Sequence, residues 1–354
     1  MKKSEAEDTE MKSNYFLGNG QFQLREEAMP VPGDRDVLVR VAACGICGTD
    51  VHIFHGDQGS AEVTPPVVLG HEFAGTVEAV GRDVRSLRPG DHVTVDPTIY
   101  CGACPYCRKG KKQLCTSLFA IGVNRNGGFS EYCAVPAEQC FLLDPAIPLR
   151  FGAMTEPLAC CIHGIDRAGI RPGDTVLIIG CGAIGLMMLQ LARLQGASGI
   201  IVSEPVAMRR EIALKLGADA AIDPVHESVA DAVRKGFGGL EPDVVIECVG
   251  NTVAVRQAFE AAGRGSTLLL FSVPVPGTAH PLSLMDVYKK ELTVTGSMIN
   301  PDTHARAAAL INAGRIRFDE IITHTYPLEQ LQDALLMQMN DASIKVIVEP
   351  GAAE

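Results

Sequence analysis

Two kinds of pattern divide the chain. In the first 150 residues, Val37-Leu38-Val39-Arg40-Val41 is a short apolar strand. Gly75-Thr76-Val77-Glu78-Ala79-Val80 and Asp91-His92-Val93-Thr94-Val95 alternate apolar with polar. Turn chemistry such as Arg88-Pro89-Gly90-Asp91 separates them, and this spacing predicts a barrel-like β domain. From about Arg171 the pattern changes. Thr175 to Ile179 is wholly apolar, Ala183 to Gln195 reads as an apolar helix ended by Gly196, and Gly199 to Ser203 is a second strand. Met208 to Leu216 is a helix closed by Gly217, Asp243 to Cys248 a third strand, Ala254 to Ala262 a helix and Ser266 to Phe271 a strand. Strands alternating with helices predict parallel βαβ units covered on both faces. The last 55 residues are less regular and end in the strand-like Ile344-Lys345-Val346-Ile347-Val348. No internal repeat is visible.

Composition narrows the picture. At 354 residues the chain suggests two ordinary domains. With 47% hydrophobic and 21% charged residues it can bury cores. A net charge of −11 argues against a nucleic-acid or anionic-membrane partner, and 5% aromatics without tryptophan argues against base or sugar stacking platforms. The N-terminal MKKSEAEDTEMK lacks the apolar core of a signal peptide, so residues 1–10 read as a solvated extension. Thr175 to Ala192 is uncharged over 18 residues, but Gly180, Gly182 and Gly185 interrupt it, which fits strand, turn and buried helix better than a membrane span. A cytoplasmic protein with reduced thiols is therefore expected, its twelve cysteines serving as metal ligands, nucleophiles or core residues.

Val176 to Ile179 runs into Gly180-Cys181-Gly182-Ala183-Ile184-Gly185, a G-x-G-x-x-G between strand and helix. Gly180 permits the tight turn, Gly182 lets a pyrophosphate approach, Gly185 lets helix and strand pack, and the helix N-terminus attracts phosphate. Glu204 ends the next strand 19 residues after Gly185, where an acid can take ribose hydroxyls. It favours NAD(H) by repelling a 2′-phosphate; Arg209 and Arg210 keep NADP(H) open, although a solvated helix face also explains them.

Cys101, Cys104, Cys107 and Cys115 form C-x2-C-x2-C-x7-C. Four such thiolates can enclose a tetrahedral metal and leave no open position, which reads as structural zinc. An iron–sulfur cluster is the lesser alternative, since no electron-transfer partner domain is evident. A scattered set, Cys47, His71-Glu72 and Glu156, offers thiolate, imidazole and carboxylate, the donors of a zinc site with an open position. Taken singly, each reads rather as a buried thiol, a satisfied histidine or a capping glutamate.

On these segments the chain, from Met11 onward, resembles the zinc-dependent medium-chain alcohol/polyol dehydrogenase family, in its sorbitol and threonine dehydrogenase branch. Cys44-Gly-Ile-Cys47-Gly-Thr-Asp50-Val-His52 is similar to the family's first zinc segment, Gly70-His71-Glu72 to its G-H-E segment, and Cys101 to Cys115 to its structural-zinc lobe. Glu156-Pro157-Leu158-Ala159 resembles the branch's E-P-L-A. The resemblance implies an α/β protein: a Rossmann doubly wound parallel sheet over residues 157–297, plus a mainly β, GroES-like barrel formed by 11–156 and 298–354, with the zinc lobe at about 98–118. It implies two zincs per chain and Cys47, His71 and Glu156 as catalytic ligands. Glu72 is the adjacent, alternating one, and whether Glu156 binds directly or through water is left open.

By the same resemblance Asp50 supports His71 from behind, Thr49 contacts the substrate hydroxyl and His52 passes its proton to solvent. The cofactor-binding set is Gly180, Gly182, Ala183, Ile184, Gly185, Glu204, Arg209, Val249 and Val273. A homotetramer or homodimer is implied. The substrate expected is a secondary alcohol or polyol, with L-threonine-type amino alcohols the rival. Gly296-Ser297-Met298-Ile299-Asn300 lacks the arginine that sorbitol dehydrogenases carry there, and Phe54, His55 and Phe119 are candidate pocket walls. Two other classes compete: a zinc-free reductase, which would have lost both ligand sets, and a non-enzymatic zinc- and nucleotide-binding regulator.

Overall fold

A computed structural model of the chain describes residues 10–57, 62–274 and 277–351. The expected extension falls on residues 1–9, outside the described residues, except that Glu10 is already in a strand opposite Ala28. The chain divides into two compact units. One holds the described parts of Met1–Glu156, His304–Phe318 and Ile322–Glu354; the other holds those of Pro157–Thr303 and Asp319–Ile321.

The first unit begins with β1 (Glu10–Gly18), β2 (Gln21–Ala28), β3 (Asp36–Gly45), α1 (Gly48–Phe54), β4 (Val67–Val68), β5 (Glu72–Val80), β6 (His92–Val95) and β7 (Thr98–Ile99). It continues through α2 (Pro105–Arg108), β8 (Phe119–Ala120), β9 (Tyr132–Pro136), β10 (Cys140–Leu142) and α3 (Leu149–Gly152); α4 (Thr155–Ala168) leads out of it. The second unit contains β11 (Thr175–Ile179), α5 (Ala183–Leu194), β12 (Gly199–Ser203), α6 (Ala207–Lys215), β13 (Ala220–Ile222), α7 (Val229–Gly236), β14 (Val244–Glu247), α8 (Thr252–Ala261), β15 (Thr267–Leu270), α9 (Leu284–Lys290) and β16 (Thr293–Gly296). The chain then returns with α10 (His304–Asn312), β17 (Ile322–Pro327), α11 (Leu331–Gln338) and β18 (Lys345–Glu349).

The second unit's sheet is parallel throughout in the order β13-β12-β11-β14-β15-β16. Its central strands are continuous apolar runs because helices cover both faces. The strand order reverses between β11 and β14, the place where such sheets bind ligands at their carboxyl ends. Neither β13 nor α7 stood out in the sequence. β13 is a three-residue edge strand, and α7 buries only Val229 and Val233 one turn apart. Among the described residues no helix is long and apolar enough to cross a membrane. The uncharged run from Thr175 is β11, a turn and most of α5.

In the first unit, the sheet β10-β6-β5-β3-β18-β17, with β9 also on β3, wraps a core of Val37, Val39, Val41, Phe73, Val93, Phe129, Val346 and Val348. The chain's end thus supplies a middle strand of its first domain. The return begins at His304, buried at the first turn of α10 beside the Phe141 ring, with Nε2 3.3 Å from the Thr94 hydroxyl. Burial pushes its imidazole down to about 3 from the ordinary 6.5, and the positive end of the helix dipole opposes a charge in the same direction. The folded state keeps His304 neutral, so its contribution is complete above pH 6.5 and declines as pH falls toward 3, by about 1.4 kcal/mol per unit at most. We expect His304→Gln to flatten the fall in urea midpoint between pH 7 and pH 5; the same slope in both proteins would show that His304 does not cause it.

Candidate functional site

Strand register assembles the metal site. In the β3–β5 ladder Gly45 faces Glu72 and Cys44 faces Phe73. The chain leaving β3 therefore carries Cys47 to the same end at which His71 enters β5. On the other side of β3, β18 pairs Ile347 with Gly45, and the Ile46 N–H donates to the Val346 carbonyl at 3.0 Å. Lys345 thereby reaches the site from the C-terminal strand. Its Nζ donates to the Ile46 carbonyl at 2.9 Å and pairs with the Glu72 carboxylate across Gly45. A Cβ on Gly45 would lie 2.9 Å from Lys345 Cε and strike the carboxylate, so only glycine leaves this path open.

The donor atoms of Cys47, His71 and Glu72 all lie within 4.8 Å of one another. Glu156, buried in the first turn of α4, falls outside that mutual set, so the structure preassembles Glu72 rather than Glu156 with the other two. Asp50 holds the pair in place. Its Oδ2 accepts the Cys47 N–H at 2.9 Å, while Oδ1 faces His71 Nδ1 at 3.6 Å, longer than a hydrogen bond. Thr49 and His52 follow on α1, with His52 Nδ1 3.5 Å from Asp57 Oδ2 and its side chain part-exposed. Phe54 stacks near Phe22 as packing, and Phe119 lies in β8, paired with β7.

The electrostatics call for a cation. Burial opposes a charge on His71, yet Asp50 and Cys47 beside it hold its imidazole well above the ordinary range. Burial likewise opposes a charge on Lys345, and Glu72, Cys47 and Asp50 outweigh it. Two buried carboxylates and a thiol thus share one lysine, and a soft, mixed S/N/O donor set of this kind fits zinc.

The four cysteines of the lobe also come together, their sulfurs within 4.8 Å of one another and none in a disulfide. Backbone N–H groups point at the sulfurs: Cys104 to Cys101 at 3.3 Å, Cys107 to Cys104 at 3.4 Å, and Ser117 to Cys115 at 3.4 Å. Donation from Cys107 and Thr116 brings the Cys104 thiol down to about 6. A closed set of thiolates poised by N–H donors fits a structural zinc.

In the second unit Gly180 adopts φ +95°, and a Cβ on Gly185 would collide with the Gly180 carbonyl. Gly182 heads α5 without a side-chain cap, leaving the N–H groups at Ala183 and Ile184 to face an anion. Glu204 stands at the end of β12 as its spacing predicts, but its carboxylate is buried and does not open outward. Oε2 accepts the Cys181 N–H at 2.7 Å and Oε1 the Val206 N–H at 2.9 Å. It fastens the glycine loop to the β12–α6 turn. Arg210 donates to the Glu204 and Pro205 carbonyls and pairs with Asp223 at 3.1 Å, and it is not a solvated side chain. Lys345 and Glu247 are absent from the set that the sequence suggests; a charged residue inside an apolar strand run is the available signal.

Residues 33–145 match the model of the alcohol dehydrogenase GroES-like domain and residues 183–313 that of the zinc-binding dehydrogenase domain. The L-threonine 3-dehydrogenase of Symbiobacterium thermophilum is 36% identical over 92% of this chain and 94% of its own length. The chain belongs to the zinc-dependent medium-chain alcohol/polyol dehydrogenases. Sorbitol dehydrogenase of Bombyx mori is 34% identical over 96% of this chain and 99% of its own. A zinc-binding dehydrogenase from Sinorhizobium meliloti 1021, solved bound to NADP, superposes with TM-score 0.93 at 42% identity, covering 97% of this chain and 100% of that one. As a member of this family, the chain is an oxidoreductase that moves hydride between a CH–OH group and NAD(P) with zinc.

Proposed function

We propose that this dehydrogenase reversibly oxidises secondary alcohols or polyols at a zinc held by Cys47 and His71, with the carboxylates of Glu72 and Glu156 available to complete the set. A second zinc is held by Cys101, Cys104, Cys107 and Cys115. The observation that carries this reading is the buried Cys47–His71–Glu72 cluster, whose donors lie within 4.8 Å of one another. Zinc held there would supply the Lewis acidity that lowers an alcohol's pKa, and a bound dinucleotide would supply the hydride acceptor. Asp50 fixes the Cys47 backbone and faces His71, setting the two ligands' orientation. Thr49 relays the substrate hydroxyl proton, giving up its own hydroxyl proton as it takes the substrate's, and His52, part-exposed beside Asp57, passes a proton on to solvent.

Relatives named for polyol and for threonine oxidation flank this chain, so the substrate is decided by assay. With a panel of secondary alcohols, polyols and amino alcohols followed as NAD(P)H absorbance, we expect turnover of the first two to exceed that of L-threonine. Turnover of threonine alone would assign the amino-alcohol rival, and no turnover of any would reject the reading. For the cofactor, Glu204 bonded to backbone N–H groups is a weaker barrier to a 2′-phosphate than an open carboxylate, and the NADP-bound relative supports the same view. We expect NAD and NADP to be used with kcat/KM values within about tenfold, a gap of about 1.4 kcal/mol; a larger preference for NAD would restore Glu204 as the selector.

Assembly is read from the sheet edge. β16 ends the parallel sheet, and beside it Leu284, Met285, Tyr288 and Val294 are exposed, Tyr288 at 80%. An open edge with apolar neighbours invites pairing with a second copy of this chain. Light scattering is expected to show a homodimer or homotetramer, and Tyr288→Asp with Val294→Asp to shift it toward monomer; an unshifted mass would place the interface elsewhere. Twelve cysteines with none in a disulfide support a cytoplasmic setting.

A further inference from the structure

We propose that Glu247 is a positioning residue for the dinucleotide site, tying together the strand ends that form its wall; the inference rests on the hydride-transfer reading above. Glu247 is the last residue of β14, next to the point where the strand order reverses, and is 0% exposed. Its Oε1 accepts the N–H groups of Val249 at 2.7 Å and Gly250 at 2.8 Å. Its Oε2 accepts the hydroxyl of Ser272, which follows β15. One carboxylate therefore holds the carboxyl ends of two neighbouring parallel strands. The tie extends to a third, because a Cβ on Gly180 would lie 2.6 Å from Val249 Cγ2, which places Val249 directly on the glycine turn after β11.

Among the described residues, no lysine or arginine pairs with Glu247. A buried carboxylate without a cation is costly, and an apolar residue would fill the same space without fixing the loop backbone, so the three donors aimed at this carboxylate mark a task beyond packing. The side chains it places point to that task. Val249 and Val273 are 44% and 70% exposed, an apolar pair at the carboxyl rim of the sheet, where ligands of such sheets bind. Glu247 itself is too deep to touch a ligand and acts through the loops that carry these valines.

Three variants separate positioning from packing. Glu247→Leu removes every bond, Ser272→Ala cuts only the tie between the two strand ends, and Glu247→Gln keeps the acceptor for both N–H groups while its amide can donate to the Ser272 hydroxyl oxygen. With NADH titrated by fluorescence, we expect Kd to rise about tenfold or more in Glu247→Leu and about threefold in Ser272→Ala, and to stay within about twofold in Glu247→Gln. In steady state the KM for the dinucleotide should rise in step while kcat at saturation changes by less than about twofold. A loss of melting temperature with unchanged Kd and KM would make Glu247 purely structural and overturn the proposal, as would Glu247→Gln binding as poorly as Glu247→Leu. Should Glu247→Leu fail to fold, unchanged binding in Ser272→Ala overturns it alone. Wild-type protein that binds neither NADH nor NADPH would instead reject the dinucleotide reading on which the proposal stands.

Discussion

Cys47→Ser is expected to lower kcat/KM for alcohol oxidation by about a thousandfold or more while NADH binds as in wild type, since the loss is of Lewis-acid chemistry and not of dinucleotide contacts. Cys47 is the one sulfur in its cluster, and the serine hydroxyl is not ionised at neutral pH, so the variant offers zinc a far poorer donor. The substitution is nearly isosteric. It leaves the Asp50 bond to the residue 47 N–H in place, because that bond is made by the backbone. The glycine loop belongs to the other compact unit and offers the dinucleotide contacts of its own, so the NADH Kd should move by less than about twofold. Activity within tenfold of wild type would remove Cys47 from the site. Parallel loss of NADH binding would point to misfolding.

Lys345→Met is expected to destabilise the first unit by about 3–5 kcal/mol, the usual cost of leaving half of a buried ion pair. Lys345 and Glu72 are 4% and 1% exposed, so water cannot replace the lost partner. Methionine has a similar length and fills the space, which confines the effect to charge. Adding Glu72→Gln to the same chain should return most of the loss, because a neutral amide in that place needs no cation. Urea unfolding of the three proteins checks both steps. An unchanged midpoint in Lys345→Met, or no recovery in the double variant, would show that the pair contributes little.

How far these features could be read from sequence follows from how local they are. The glycine turn is contiguous, so strand, motif and helix stood together at Val176 to Leu194 and matched the structure to a residue or so. The lobe cysteines lie within fifteen positions and carry their own spacing. Cys47 and His71 are 24 positions apart, and only the β3–β5 register makes them neighbours; without the family resemblance each reads as a core residue. Lys345 is almost 300 positions from Cys47, and the crossover of β18 onto β3 that joins them has no local signature. Spacing placed Glu204 correctly at its strand end but said nothing of rotamer: the side chain turns inward because the Cys181 and Val206 N–H groups lack other partners there. Glu247 is hidden for a related reason: its place inside the strand run Asp243 to Cys248 is legible, but the three donors that meet its carboxylate come from residues beyond that strand and beyond the neighbouring one. The helices α10 and α11 bury mainly alanine and leucine, too weak a stripe to mark a helix inside an irregular tail.

Zinc counting tests the central claim most directly. Elemental analysis of purified wild-type protein and of Cys47→Ser, with protein quantified by amino-acid analysis, should give two zincs per chain in the first and one in the second, with alcohol oxidation present only in the first. One zinc per chain in both proteins, with oxidation retained by the variant, would contradict a catalytic zinc on Cys47 and His71.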